Sequence, residues 1–257
     1  LEKIAFEKAG ILKPGVPVVS AQQVEEALRV LEKVSAERGC RLTLVGRDIT
    51  FEPGEHSLDG QTFTLSVVGS PSSAFQIPLL GRHQVANAAT AYAALIASGL
   101  DLPEDAIRRG FAAVKWPCRF EVVRREPPVV LDSAHNQDSF ARLRETLDEY
   151  FPGRPVYLVF GASEDKNLPG MFAEIQPRLT RLIATRADHP RALEPEQLLG
   201  AARQAGVEGE AAAPVGAALA RALELAGEQG LVLSAGSMFV TAEVKTAWET
   251  AIRKDNS

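Results

Sequence analysis

The 257-residue chain is short of methionine, tryptophan, tyrosine and cysteine, with two, two, three and two of them respectively. The shortage of cysteine says most. Cys40 and Cys118 lie far apart and make no metal-ligand pattern, so a disulfide-stapled secreted domain is excluded, and a reducing, cytoplasmic setting without a disulfide is expected. His56, His83, His135 and His189 show no metal-ligand spacing among themselves. No apolar run reaches membrane-spanning length, and no basic-then-apolar leader opens the chain. The net charge is −5 and no basic run stands out, which argues against a nucleic-acid partner. A G-x-x-x-x-G-K-[S/T] phosphate loop, a G-x-G-x-x-G fingerprint and a G-x-S-x-G elbow are all missing.

What is there has the balance of a globular protein, 46% apolar and 24% charged, long enough for one large domain or two ordinary ones. The chain opens on a helix end, then an apolar strand over 16–20. Val24, Leu28, Leu31 and Val34 recur at helical spacing until Gly39, predicting a helix over 22–38. A strand is expected at 42–46 and a half-exposed one at 62–68, where Phe63, Leu65 and Val67 alternate with polar residues. Residues 47–61 read as turns without an assigned element. Helices are expected at 84–98, which is rich in alanine, and at 103–114, with Pro103 in the first turn.

Lys115-Trp116-Pro117-Cys118-Arg119 interrupts this pattern, and a domain boundary is placed there, giving domains 1–117 and 118–257. Beyond it strands and helices alternate. Strands are expected at 128–132, 156–161, 182–185, 210–213 and 231–234, and helices at 137–150, 168–179, 194–205, 216–228 and 237–253. Such alternation predicts an α/β fold with a mostly parallel, doubly wound sheet.

Ligands of open parallel sheets bind beyond the carboxyl ends of the strands. Those ends carry Asp132-Ser133-Ala134-His135-Asn136, the run Gly161 to Asn167 with Lys166, the run Thr185 to Arg191 with His189, and Ser234-Ala235-Gly236-Ser237. The last opens a helix, whose backbone N–H groups suit an anion. Each cluster alone also reads as an ordinary helix cap. Together they point to one crevice.

The motifs in order resemble those of folylpolyglutamate synthases, often bifunctional with dihydrofolate synthase, within the Mur ligase superfamily. IAFEKAGILKPGVPVV (4–19) is similar to the family's signature after its metal-site region, and GRHQVANAATAYAAL (81–95) to its G-x-H-Q-x-x-N-A-x-x-A helix. Trp116-Pro117-Cys118-Arg119-Phe120-Glu121 resembles P-G-R-F/L-E, LDSAHN (131–136) resembles L-D-G-A-H-N, FGASEDKN resembles G-x-x-x-D-K-D, and SAGSMF resembles G-S-L-Y/F. Cys118 and Ser133 stand where the motifs usually carry glycine, and Asn167 where they carry a second Asp.

The resemblance implies an ATP- and Mg²⁺-dependent amide ligase that adds L-glutamate to folate, or to dihydropteroate, through an acyl phosphate. It implies the C-terminal part of a Mur-type ATPase domain over 1–117, followed by a Rossmann-like ligase domain. It implies further that the chain, beginning with Leu1, is a C-terminal piece without the phosphate loop and inactive alone. Asn87 would contact adenine, Arg119 the ATP phosphates, and Asp132 the ribose. His135 and Ser237 would serve the glutamate side, and Lys166 would neutralise phosphate or carboxylate. Lys8, if carbamylated, would become an anionic Mg²⁺ ligand; read on its own it is a helix-end cation beside Glu7. A monomer is expected. Another Mur-type peptide ligase, or a non-catalytic Rossmann-like module, stays open as an alternative.

Overall fold

The computed structural model describes residues 1–255, which fall into two compact units, Leu1–Lys115 and Trp116 onward. The division lies two residues before the boundary placed in the sequence.

In the first unit, α1 (Glu2–Ala9) leads to β1 (Val18–Ser20), α2 (Glu25–Glu37) and β2 (Leu42–Leu44), and β1 pairs with β2 in parallel. The apolar stripe of α2 packs Val34, Val30 and Leu31 against Ala9, Leu12 and Val18. The Arg38 guanidinium, just past α2, ties down the carbonyls of Gly10 and Leu12. A three-stranded antiparallel meander follows, β3 (Ile49–Ser57), β4 (Gly60–Val67) and β5 (Ser73–Ile77), then α3 (Arg82–Ala97) and α4 (Glu104–Ala112). Phe63, Leu65, Phe75 and Ile77 meet Val85, Ala89, Tyr92 and Ile107 in its core. The small side chains of α3 let it lie close to the sheet.

Two strands of the first unit escaped the sequence reading. β3 occupies most of the segment read as turns. It is an edge strand whose register shifts between Pro53 and His56, so Pro53, which has no N–H, and the exposed polar residues around it are tolerated. β5 is the other edge, and only Phe75 and Ile77 of its five residues are buried.

The second unit is built on six strands in the order β10-β9-β8-β11-β7-β6. They are β6 (Glu121–Arg125), β7 (Pro128–Leu131), β8 (Val156–Phe160), β9 (Leu179–Ala184), β10 (Gly209–Ala211) and β11 (Leu231–Ala235). All neighbours are parallel except β6, which lies antiparallel on β7 at one edge. The connecting helices are α5 (Gln137–Tyr150), α6 (Leu168–Ile175), α7 (Pro195–Gln204), α8 (Val215–Ala226) and α9 (Met238–Asp255). The sheet is mostly parallel, as the alternation predicted, and a 3-10 turn over Gln176–Arg178 ends the helix expected over 168–179.

Alternate strand residues face opposite ways. Val129, Leu131, Val159, Ile183 and Val232 pack on α8 and α9 residues such as Ala218, Val240 and Val244. Phe160, next to Val159, meets Phe140 of α5 and Phe172 of α6, with ring centroids 6.1 and 5.0 Å away. The loops leaving β7 and β8 therefore run to one face, and that leaving β11, between them, runs to the other. This is the topological switch at which open sheets bind ligands.

No helix among the described residues is long and apolar enough to cross a membrane.

Candidate active site

Because β7, β8, β9 and β11 are parallel, the loops after them leave one edge of the sheet. The structure laces these loops together. Gly236 N–H donates to Ala134 C=O at 2.8 Å, joining the β11 loop to the β7 loop. Leu193 N–H reaches Ala162 C=O at 2.9 Å and Glu164 N–H reaches Arg191 C=O at 3.1 Å, joining the β8 and β9 loops. The His189 ring stacks on Phe239 at 4.1 Å, and Asp188 N–H donates to Glu243 of α9 at 2.9 Å.

Gly236 is needed for this closeness. Its φ is +105°, and an added Cβ would sit 2.5 Å from the Phe160 ring and 2.6 Å from Gly161 O.

Asp132 is the buried polar centre of the β7 loop. Its Oδ2 accepts the Phe120 N–H at 2.8 Å and its Oδ1 the Ala134 N–H at 2.7 Å. Burial raises its pKa from 3.8 to about 6, against the pull of those two N–H groups and of Arg119 and His135 nearby. Its own carbonyl accepts the Thr241 hydroxyl at 2.9 Å, and Thr241 in turn receives Ser234 Oγ at 3.2 Å.

His135 is exposed one step on. Its Nδ1 lies 2.8 Å from Ser133 C=O, a contact that calls for Nδ1–H and leaves the Nε2 lone pair of the neutral ring as an acceptor. Asn136 caps α5, accepting the Ser139 N–H at 2.9 Å.

Arg119 is exposed, its guanidinium carbon 5.6 Å over the Trp116 ring. Ser237 is half-buried immediately before α9, and its hydroxyl accepts the Phe239 N–H at 3.2 Å. No acidic residue occupies the first turn of that helix. Lys166, in the β8 loop, pairs with Asp165 at 2.8 Å, and that pairing lowers the Asp165 pKa.

The second unit thus places Asp132 and His135 in the loop after β7 and Ser237 in the loop after β11, two loops joined by the Gly236–Ala134 bond, with Arg119 one residue from the Phe120 anchor and Lys166 in a loop of the same edge. The other two sequence candidates lie in the first unit. Lys8 is in the last turn of α1, 3.5 Å from Glu7, both side chains 75% exposed. Asn87 is exposed on α3 and donates to Gln84 Oε1 at 3.0 Å.

Among the described residues no group of three His, Cys, Asp or Glu side chains could hold a metal ion. Lys8 beside Glu7 does not make one either, so the residues present do not by themselves fit a Mg²⁺ site.

Several residues of the network were not singled out in the sequence. Thr241 is a wholly buried hydroxyl in an apolar run, and that mismatch was its available signal; Ser234, also wholly buried, was read only as part of a polar strand end. The anchor at Phe120 is a backbone N–H and carries no residue signature. Lys245 of α9 reaches Glu121 at 2.6 Å across a long sequence separation.

Residues 118–238 match the Mur ligase glutamate ligase domain. Nearly the whole chain is similar to a probable bifunctional folylpolyglutamate synthase/dihydropteroate synthase of Haloferax volcanii, 32% identical over 97% of this chain and 30% of that protein. A Mycobacterium tuberculosis folylpolyglutamate synthase solved with ADP superposes with a TM-score of 0.87 at 28% identity, covering 95% of this chain and 58% of that one. A bifunctional folylpolyglutamate synthase/dihydrofolate synthase of Yersinia pestis, solved with AMPPNP and a Mn ion, gives 0.83 at 28% identity, over 96% and 57%. The chain spans from under a third to somewhat over half of the length of these relatives. Residues 118–238 of its second unit form a Mur ligase glutamate ligase domain, and the chain is similar to folylpolyglutamate synthases along almost all of its length.

Proposed function

We propose that the chain serves an ATP-dependent ligase that joins L-glutamate to the carboxylate of a folate, with dihydropteroate as a second acceptor. The observation that carries the reading is the convergence of cationic, carboxylate, imidazole and hydroxyl groups on one sheet edge at its topological switch, in a chain homologous to folylpolyglutamate synthases.

The reaction has two balanced steps. The terminal phosphoryl of ATP passes to a carboxylate oxygen of the acceptor, and ADP leaves. The glutamate amine then attacks the acyl carbon, phosphate departs, and the nitrogen gives up a proton. Negative charge on the phosphoryl oxygens calls for cations with fixed geometry. In this reading Arg119 supplies a planar fork for the phosphates. Lys166 supplies a second cation. The Nε2 of His135, fixed by the Nδ1 bond to Ser133, accepts the amine proton. Ser237 and the start of α9 receive a carboxylate of glutamate. Asp132 serves the nucleotide ribose and Asn87 the adenine. A carbamylated Lys8 would supply one anionic oxygen suited to a divalent metal, which alone makes no site, and no step of this reading is placed on a metal.

The 257 residues carry no phosphate loop, so by themselves they are expected to be inactive. The same residues, continuous with a phosphate-loop domain of a relative, are expected to incorporate labelled glutamate into a folate acceptor only when ATP is present. Incorporation without ATP, or none under any acceptor, overturns the reading. Arg119→Ala in the active protein should raise the apparent KM for ATP at least tenfold, about 1.4 kcal/mol. We place the working protein in the cytoplasm as a monomer, which light scattering of the active protein tests.

A further inference from the structure

Arg119 sits between two residues in the left-handed region, Cys118 with φ 58° and Phe120 with φ 44°. Neither is glycine, so each conformation costs on the order of 1 kcal/mol and persists only where the surroundings hold it.

Side chains from three other places do the holding. The Cys118 N–H donates to Glu121 Oε2 at 2.8 Å, and the Cys118 C=O accepts the Ser133 hydroxyl at 2.8 Å. The Phe120 N–H donates to Asp132 Oδ2 at 2.8 Å. Glu121 is itself braced by Lys245 of α9, 2.6 Å from its Oε1. The backbone on both sides of Arg119 is therefore pinned, while the Arg119 side chain stays exposed over Trp116. Such an arrangement fixes where a long cation starts and leaves its head available.

We propose that Ser133 is a positioning residue for Arg119: its hydroxyl, with the Glu121–Lys245 pair, holds Cys118 in the left-handed conformation from which the guanidinium is presented. Cys118 and Ser133 are the two positions at which these motifs depart from glycine, and the structure puts them in hydrogen-bond contact. A glycine at 118 would adopt this backbone without penalty. A cysteine there needs a bond to hold it, and Ser133 supplies one. The two departures compensate each other. The inference rests on the reading of Arg119 as a phosphate ligand given above.

The test is a suppressor experiment. Ser133→Ala removes only the hydroxyl, and loss of one such bond should speed exchange of the Phe120 amide about fivefold and shift the indole NMR signal of Trp116. Adding Cys118→Gly to Ser133→Ala should restore slow exchange, and Ser133→Thr, which keeps the hydroxyl, should stay close to wild type. In the ligase joined to a phosphate-loop domain, Ser133→Ala should raise the apparent KM for ATP about threefold to fivefold with a smaller change in kcat, and Cys118→Gly should again reverse it. Unchanged exchange in Ser133→Ala, or strictly additive effects in the double variant, overturns the clamp. Altered exchange with an unaltered KM for ATP overturns the positioning of Arg119. Absence of ligation in the wild-type protein would instead count against the proposed function, and the exchange measurements would still decide the clamp.

Discussion

The two units handle their polar residues differently. In the first, the sequence candidates lie on surfaces. Lys8 has Glu7 as its charged neighbour, and Asn87 has Gln84. The helix carrying Lys8 leaves Ile4 58% and Phe6 67% exposed. In the second, the strands under the site are almost wholly buried, and Asp132, Ser133 and Thr241 are tied to partners far away in sequence. The comparison gives a rule for reading substitutions. A change in the laced edge should register first as lost stability, whereas a change at the surface candidates should register only in chemistry. Both tryptophans, Trp116 and Trp248, lie in the second unit, so indole fluorescence during denaturation reports on that unit alone.

The largest effect is expected from Gly236→Ala. Its φ of +105° is strained for alanine, and its Cβ would overlap the Phe160 ring and Gly161 O. Strain and overpacking together should remove about 4 kcal/mol, read as a shifted urea midpoint in tryptophan fluorescence. A wild-type midpoint would mean that the β11 and β8 loops are not held as closely as described.

Next comes the pH dependence set by Asp132. Its folded-state pKa is raised, from 3.8 to about 6, chiefly by burial. Between those values the folded chain binds more protons than the unfolded one, so this residue's contribution falls as pH rises from about 4 to 6. A rise of that size corresponds to about 3 kcal/mol. Asp132→Asn removes the titration, and other carboxylates affect both proteins alike. The stability gap between wild type and variant should therefore shrink across the window, and a constant gap would show that Asp132 titrates normally. For the first unit the matching change is Gln61→Leu. Gln61 is buried and donates to Leu79 C=O at 2.7 Å and Gly81 C=O at 2.9 Å. Losing both bonds should cost about 2 kcal/mol, seen as faster amide exchange in β4. Unchanged exchange there would make the first unit as tolerant inside as on its surface.

The same contrast explains what was legible in the sequence. Strand–helix alternation in the second unit comes from strands buried on both faces, so Val156–Phe160 and residues 231–233 are runs of aliphatic and aromatic residues and easily recognised. In the first unit the edge strands β3 and β5 have few buried residues, and Pro53 and Gly54 hide the strand they interrupt. At the candidate site, residue types at strand ends pointed to the edge whose loops the structure laces together. The bonds that make it a network go to backbone groups, at Phe120, Cys118 and Ala134, and a sequence does not display those. Left-handed backbone at Cys118 was foreshadowed only by the motif's usual glycine.

The smallest structural effect should come from Lys8→Ala, and it is the sharpest test of the surface side of the comparison. The Lys8 ammonium and its Glu7 partner are both 75% exposed and 3.5 Å apart. A pair so open to solvent adds little to folding, so melting of the chain should not change measurably. Chemistry is another matter. If Lys8 is carbamylated in the active ligase, its alanine variant should lose most ATP-dependent glutamate incorporation. Bicarbonate should not restore it, because no amine remains to capture CO₂. A short carboxylic acid added to the assay should restore part, because it returns an anionic oxygen to the place of the lost carbamate. Full activity in Lys8→Ala would reduce Lys8 to the surface cation that its geometry in α1 describes, and a large drop in melting would show that the first unit's surface carries structural weight after all.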